Sequence, residues 1–191
     1  MSSRQSTARI FFGLEFPEAV RERLQLLQDL LGIQPEAVRW VEKHNLHLTL
    51  QFIGEVPEES VRKIVSDATR AADAVSSFVL GISGVGAFPG PSRPRVLWAG
   101  VGEGEKQVRL LAGELSRCLG LVPDKPFSPH ITLGRVREGC KVHVSDALCR
   151  ERDYSAGTVR VESFVCLEST LTSKGPVYRE IMKFNLIPAT A

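Results

Sequence analysis

The chain has 191 residues, a formal net charge of +2, 43% hydrophobic and 24% charged side chains, the composition of a globular protein that can bury a core without staples. Those values argue against large-scale disorder and give no sign of the broad basic footprint of a duplex-DNA binder. The four cysteines, Cys118, Cys140, Cys149 and Cys166, form no CxxC pair, which points to reduced thiols and not to a zinc module or disulfide framework.

The N-terminal segment lacks the apolar stretch of a signal peptide, and no apolar run is long enough to span a bilayer; cytoplasmic residence is the expectation. Arg9 to Glu15, with Ile10, Phe11 and Phe12, predicts a strand covered on both faces. Pro17 and Glu18 suit the first turn of a helix, and Val20, Leu24, Leu27, Leu30 and Leu31 recur at helical spacing. Leu46 to Phe52 predicts a second strand, and Glu58 to Ala72 a second helix through Val61, Ile64 and Ala68. A strand over Ser77 to Val85 leads into a Gly/Pro-rich loop, Gly86 to Pro94, then a short strand, Val96 to Gly100. Glu105 to Cys118 predicts a third helix, with Val108, Leu111, Leu115 and Cys118 on one face. After a proline-punctuated loop comes the strand His130 to Val136, then a polar stretch to Gly157 with room for a turn or two of helix. Val159 to Glu168 reads as one alternating strand, and Val177 to Phe184 as the last. Strands mixed with helices, with hairpins late in the chain, predict an α+β or mixed α/β protein with sheet in two places.

Two segments are near copies: Leu46-His47-Leu48-Thr49-Leu50 and Pro129-His130-Ile131-Thr132-Leu133. Each follows a helix and a loop, which predicts an internal duplication into two lobes. Alternation on a strand puts His47 with Thr49 on one face and His130 with Thr132 on one face, with the intervening apolar residues opposite. Two imidazoles facing one phosphate can supply a base for the attacking oxygen and an acid for the leaving oxygen without a metal. Each threonine hydroxyl can donate to a non-bridging oxygen. A zinc site would need three or four ligands, and His44 is the one close addition to His47; no metal or other cofactor is expected. The motifs are too symmetric for the residues themselves to say which histidine is acid and which base.

The chain resembles the 2H phosphoesterase superfamily, and within it the RNA 2′,3′-cyclic phosphodiesterases first described as 2′-5′ RNA ligases. The resemblance runs through Arg9-Ile10-Phe11-Phe12 with Pro17, Trp40, His47 to Glu55, Phe88-Pro89, Val96 to Gly100, Phe127 to Arg135, Leu167-Glu168-Ser169 and Gly175 to Tyr178. It implies one domain over residues 1–191 built of two lobes, with two antiparallel sheets flanked by helices and a groove between them. It also implies that His47 is the proton donor to the departing 3′ oxygen, that His130 is the acceptor activating water, and that the product carries a 2′-phosphate. The expected partners are tRNA-like or oligoribonucleotide ends bearing a 2′,3′-cyclic phosphate, met by a monomer. Small cyclic nucleotides, 2′-5′ oligonucleotides, reversible 2′-5′ ligation and a non-catalytic RNA-binding role are the alternatives.

Arg135 lies five residues after His130, so strict alternation turns it away from the site unless the strand twists or bulges; the family uses an arginine here near the phosphate. Phe52 holds the equivalent place in the first motif and could stack on a base or ribose. Lys43 and His44 are candidates for touching a nucleic-acid backbone, and Arg93 and Arg95 for shaping a rim of the groove. No Walker run, GxGxxG turn or G-x-S-x-G elbow competes.

Overall fold

The computed structural model describes residues 6–173 and 175–189. In chain order its elements are β1 (Thr7–Glu15), α1 (Glu18–Leu30), β2 (Val38–Trp40), a 3-10 turn (Lys43–Asn45), β3 (His47–Pro57), α2 (Glu58–Ala72), β4 (Phe78–Phe88) and β5 (Val96–Val101). There follow α3 (Glu105–Cys118), β6 (Ile131–Val136), α4 (Ser145–Arg150), β7 (Ser155–Val161), β8 (Ser163–Thr172) and β9 (Gly175–Asn185). It is a mixed α+β fold, an antiparallel sheet flanked by helices.

The strands run in the order β7-β4-β5-β6-β3-β1-β8-β9, with β2 added beside β6. Both halves of that path are ladders of many residues, but β6 and β3 meet through one pair, Leu48 with Ile131. The sheet is thus two antiparallel halves joined at a narrow seam. Each half holds the same unit: β1-α1-β3 in one and β5-α3-β6 in the other, a strand, a helix and a returning antiparallel strand that begins at or just after a motif histidine.

One face of the sheet is dry. Ile10, Phe12 and Leu14 of β1, Leu48 and Leu50 of β3, Leu97 and Ala99 of β5 and Ile131 and Leu133 of β6 are buried there with Leu24 and Leu27 of α1 and Val108, Leu111 and Leu115 of α3. The helical stripes read from the sequence cover it, except that Leu30 of α1 is exposed. Among the described residues, the buried apolar cluster on the opposite face is small, Phe11, Val165 and Leu167, packed by Tyr178. That face is left open for chemistry.

The expected strand Val159 to Glu168 is two strands. The chain leaves β4 at Val161 and joins β9 from Ser163 and β1 from Val165, with Glu162 exposed at the crossing. Alternation persists across the break because both sides bury into the same core, so periodicity cannot register the change of partner. β4 also extends through Phe88, into the stretch expected to be loop.

Candidate active site

Leu48 and Ile131 are each the residue after a motif histidine, and each is fully buried on the helix side. Neighbours along a strand point the other way. His47, Thr49, His130 and Thr132 therefore all project from the open face around a single point. Extending the antiparallel register one residue each way sets His47 across from Thr132 and Thr49 across from His130. The expected meeting of two His-Thr faces is thus made at the seam.

The two rings are anchored alike. Nδ1 of His47 lies 2.7 Å from the carbonyl oxygen of Asn45, and Nδ1 of His130 lies 2.8 Å from that of Ser128. A carbonyl can only accept, so Nδ1 carries the proton in both rings and Nε2 is the exchangeable nitrogen. Each ring also meets an aromatic edge: Tyr178 against His47 at 5.3 Å and 89°, Phe88 against His130 at 5.0 Å and 84°. Phe11 packs on His47 as well, at 4.9 Å. Gly13 lies beneath that ring, where an added Cβ would fall 2.9 Å from the Leu48 carbonyl oxygen and 3.5 Å from His47 Cδ2.

The two sites differ in detail. The Thr49 hydroxyl donates to His47 Nε2 at 3.1 Å, whereas among the described residues no such bond joins Thr132 and His130. Burial holds the His47 imidazole below its ordinary pKa, and the charges of His130 and Arg135 push the same way, against the opposing bond to Asn45. In the free protein His47 is accordingly biased toward the neutral form.

Arg135 faces this site because β6 bulges. Leu97 pairs with Gly134 and Trp98 with Thr132, so Leu133 is an extra residue without an opposite number. Leu133 and Gly134 both turn to the core: Leu133 is fully buried, and a Cβ on Gly134 would lie 2.6 Å from Val38 Cγ1. Arg135 is thereby returned to the face of Thr132. β3 does the same. Leu50 is extra against β1, Gln51 meets Ser116 Oγ of α3 at 2.9 Å, and Phe52 pairs with Phe11 on the open face. Phe52 is 51% exposed there, with the Arg9 guanidinium 5.0 Å from its ring centre. Gln28, buried on α1, donates to the carbonyls of Val41 and Leu133 at 2.9 and 2.8 Å and so pins the β6 bulge.

Lys43 is engaged elsewhere, 2.5 Å from Glu18; its place before the strand had suggested a nucleic-acid contact, but a carboxylate on the next helix takes its charge. Tyr178, Phe11, Arg9, Asn45 and Gln28 were missed as site residues. For Tyr178 and Phe11 a signal existed in the stretches that carry the family resemblance. Asn45 and Gln28 act through backbone contacts that no motif reports. Among the described residues no group of three or more His, Cys, Asp and Glu side chains gathers as a metal site.

The profile of the LigT-like phosphoesterases matches residues 14–98 and 100–178, one segment around each histidine. The chain belongs to that family. It is an enzyme of the 2H phosphoesterase superfamily. Its relatives include the RNA 2′,3′-cyclic phosphodiesterases of Archaeoglobus fulgidus, 36% identical over 93% of this chain and 99% of that one, and of Aquifex aeolicus, 34% identical over 93% and 97%. Among solved structures, TT0787 of Thermus thermophilus superposes with a TM-score of 0.77 at 33% identity, covering 95% of this chain and all of that one. E. coli LigT complexed with 3′-AMP gives the same TM-score at 26% identity, over 95% and 99% of the two chains. The LigT-like assignment thus spans both halves of the sheet and both motifs.

Proposed function

We propose that the protein hydrolyses RNA 2′,3′-cyclic phosphate ends to 2′-phosphomonoesters, with the two halves of the sheet acting as the lobes of one domain. The observation that carries this reading is the seam: two Nδ1-anchored imidazoles and two threonine hydroxyls around one point of an open sheet face. The relatives' RNA 2′,3′-cyclic phosphodiesterase activity supports the choice of substrate.

In this reading His130 Nε2 takes a proton from water as the water oxygen bonds to phosphorus. The P–O3′ bond breaks, and His47 Nε2 gives its proton to O3′, leaving the phosphate on O2′. His47 must then be protonated before reaction. The arriving phosphate supplies the means, because its negative charge favours the imidazolium and offsets the charge of Arg135. Thr49, Thr132 and Arg135 hold the non-bridging oxygens, and Phe52 offers a ring to the terminal nucleoside. The chemistry is acid–base and draws on side chains of this chain alone.

The test is turnover of an oligoribonucleotide with a 2′,3′-cyclic phosphate, its product mapped by phosphorus NMR. A 2′-phosphate is expected. A 3′-phosphate would mean that O2′ is the oxygen that leaves and would reject the 2′-phosphate product; no turnover would reject the reading.

A further inference from the structure

Cross-strand partners share a face, and this traces a row across the second half of the sheet. Arg39 of β2 pairs with Arg135 of β6, Arg135 with Val96 of β5, and Val96 with Phe88 of β4. Phe88 touches His130, which fixes the row on the open, catalytic face. Phe88 and Val96 also line a cleft of about 370 Å³ with Pro89, Arg93 and Arg95. Its loop is tied down at the base: Arg95 N donates to Phe88 O at 2.7 Å, and Val136 N donates to Arg95 O at 3.0 Å.

The charges along this row are unspent. Among the described residues, eight arginines elsewhere, Arg21, Arg70, Arg109, Arg117, Arg150, Arg152, Arg160 and Arg179, face a carboxylate, whereas Arg9, Arg23, Arg62 and Arg137, scattered off the row, do not. Arg39, Arg93, Arg95 and Arg135 are all exposed, and among the described residues none has an acidic partner. Exposed guanidiniums around an aromatic ring, continuous with a phosphate-handling site, are the pattern that holds single-stranded nucleic acid: cations along the backbone and a ring for a base.

We infer that Arg39, Arg93 and Arg95, with Phe88, form a track for the RNA strand upstream of the cyclic phosphate. The inference rests on the phosphodiesterase reading and narrows it, since it makes the substrate an oligonucleotide in preference to a lone cyclic nucleotide. Phosphodiesters of the strand lie against the three arginines, and one upstream base packs on Phe88.

The experiment compares adenosine 2′,3′-cyclic phosphate with a tetraribonucleotide ending in the same group, in the wild type and in the triple variant Arg39→Gln, Arg93→Gln, Arg95→Gln. The wild type favours the tetranucleotide in kcat/KM, and the ratio of the two substrates falls by roughly 10-fold or more in the variant, as charge-assisted hydrogen bonds to the strand disappear. In parallel, fluorescence anisotropy follows a 5′-labelled tetranucleotide ending in a 2′-phosphate. Its log Kd against log salt becomes shallower by about 0.7 for each phosphate that the arginines no longer neutralise. Equal kcat/KM for the two substrates in the wild type, or binding and ratio unchanged in the triple variant, overturns the track. Failure to turn over either substrate, with arginine-dependent binding intact, rejects the phosphodiesterase reading and leaves the track standing.

Discussion

The side-chain amide of Gln28 donates to the carbonyl oxygen of Leu133 at 2.8 Å, and Leu133 is the extra residue that turns Arg135 toward His47. Gln28→Leu should destabilise the protein by about 0.5–1.5 kcal/mol for each of the two hydrogen bonds lost, since the Leu133 carbonyl keeps the Val41 N–H as a donor. It should also lower kcat/KM by loosening Arg135. Combining it with Arg135→Ala separates the two effects: the stability loss persists, while the kinetic loss of Gln28→Leu shrinks in the Arg135→Ala background. Kinetic losses that simply add would show that Gln28 does not act through Arg135.

His47→Ala and His130→Ala should each reduce turnover of a 2′,3′-cyclic phosphate by roughly 100-fold or more, because both proton transfers are required. Steady-state kinetics on the purified variants checks this. Near-normal activity in either would remove that imidazole from the reaction.

Thr49→Val and Thr132→Val keep the strand's shape and delete one hydroxyl each. A hydrogen bond to a charged phosphate contributes about 1–3 kcal/mol, so rates should fall by roughly 5- to 150-fold if the bond is made in the transition state. The Thr49 variant carries an added effect, since that hydroxyl also bonds His47 Nε2. Thermal melts on the same proteins distinguish a missing hydrogen bond to substrate from a damaged fold.

The depressed His47 pKa has a definite sign. Above the unfolded-state value, about 6.5 for histidine, the ring is neutral folded or unfolded and contributes nothing to pH dependence. As pH falls through that value the unfolded chain takes up a proton that the folded protein resists, so stability drops until the lower folded value is passed. His47→Gln should flatten this part of the stability profile, measured by urea melts between about pH 7.5 and 5, a window that brackets the unfolded value. Arg135→Ala should raise the His47 pKa, because a cation beside it is gone; ring-carbon NMR titration reads the change directly. The rate should follow a bell in pH, with both macroscopic values belonging to the coupled pair.

Much of this molecule was legible in the residues. The strand and helix periods of β1, α1, β3, α2, α3 and β6 follow from apolar spacing, and the near-identity of the two motifs exposed the four site side chains. The orientation of Arg135 and Phe52 was not legible. It depends on bulges at Leu133 and Leu50, and a bulge is a relation between two strands, not a property of one. Tyr178 escaped for a similar reason: it reaches Phe11 and His47 from β9, across β8, and sequence distance says nothing about that order. Lys43 shows the converse, a well-placed cation whose nearest carboxylate, Glu18, became its neighbour only on folding.

The pairing of Leu48 with Ile131 has a consequence for how these strands tolerate change. Shifting either one by a single position would present leucine or isoleucine to water and drive a histidine and a threonine into hydrocarbon. Shortening or lengthening the chain just before His47 or His130 would incur both penalties at once. Function and folding at the seam are therefore all-or-none: a misaligned molecule loses its core together with its acid and base, and persists as no half-active form. The loop that leaves α3 can absorb a change in length only toward its α3 end, where the residues adjoining His130 keep their alignment.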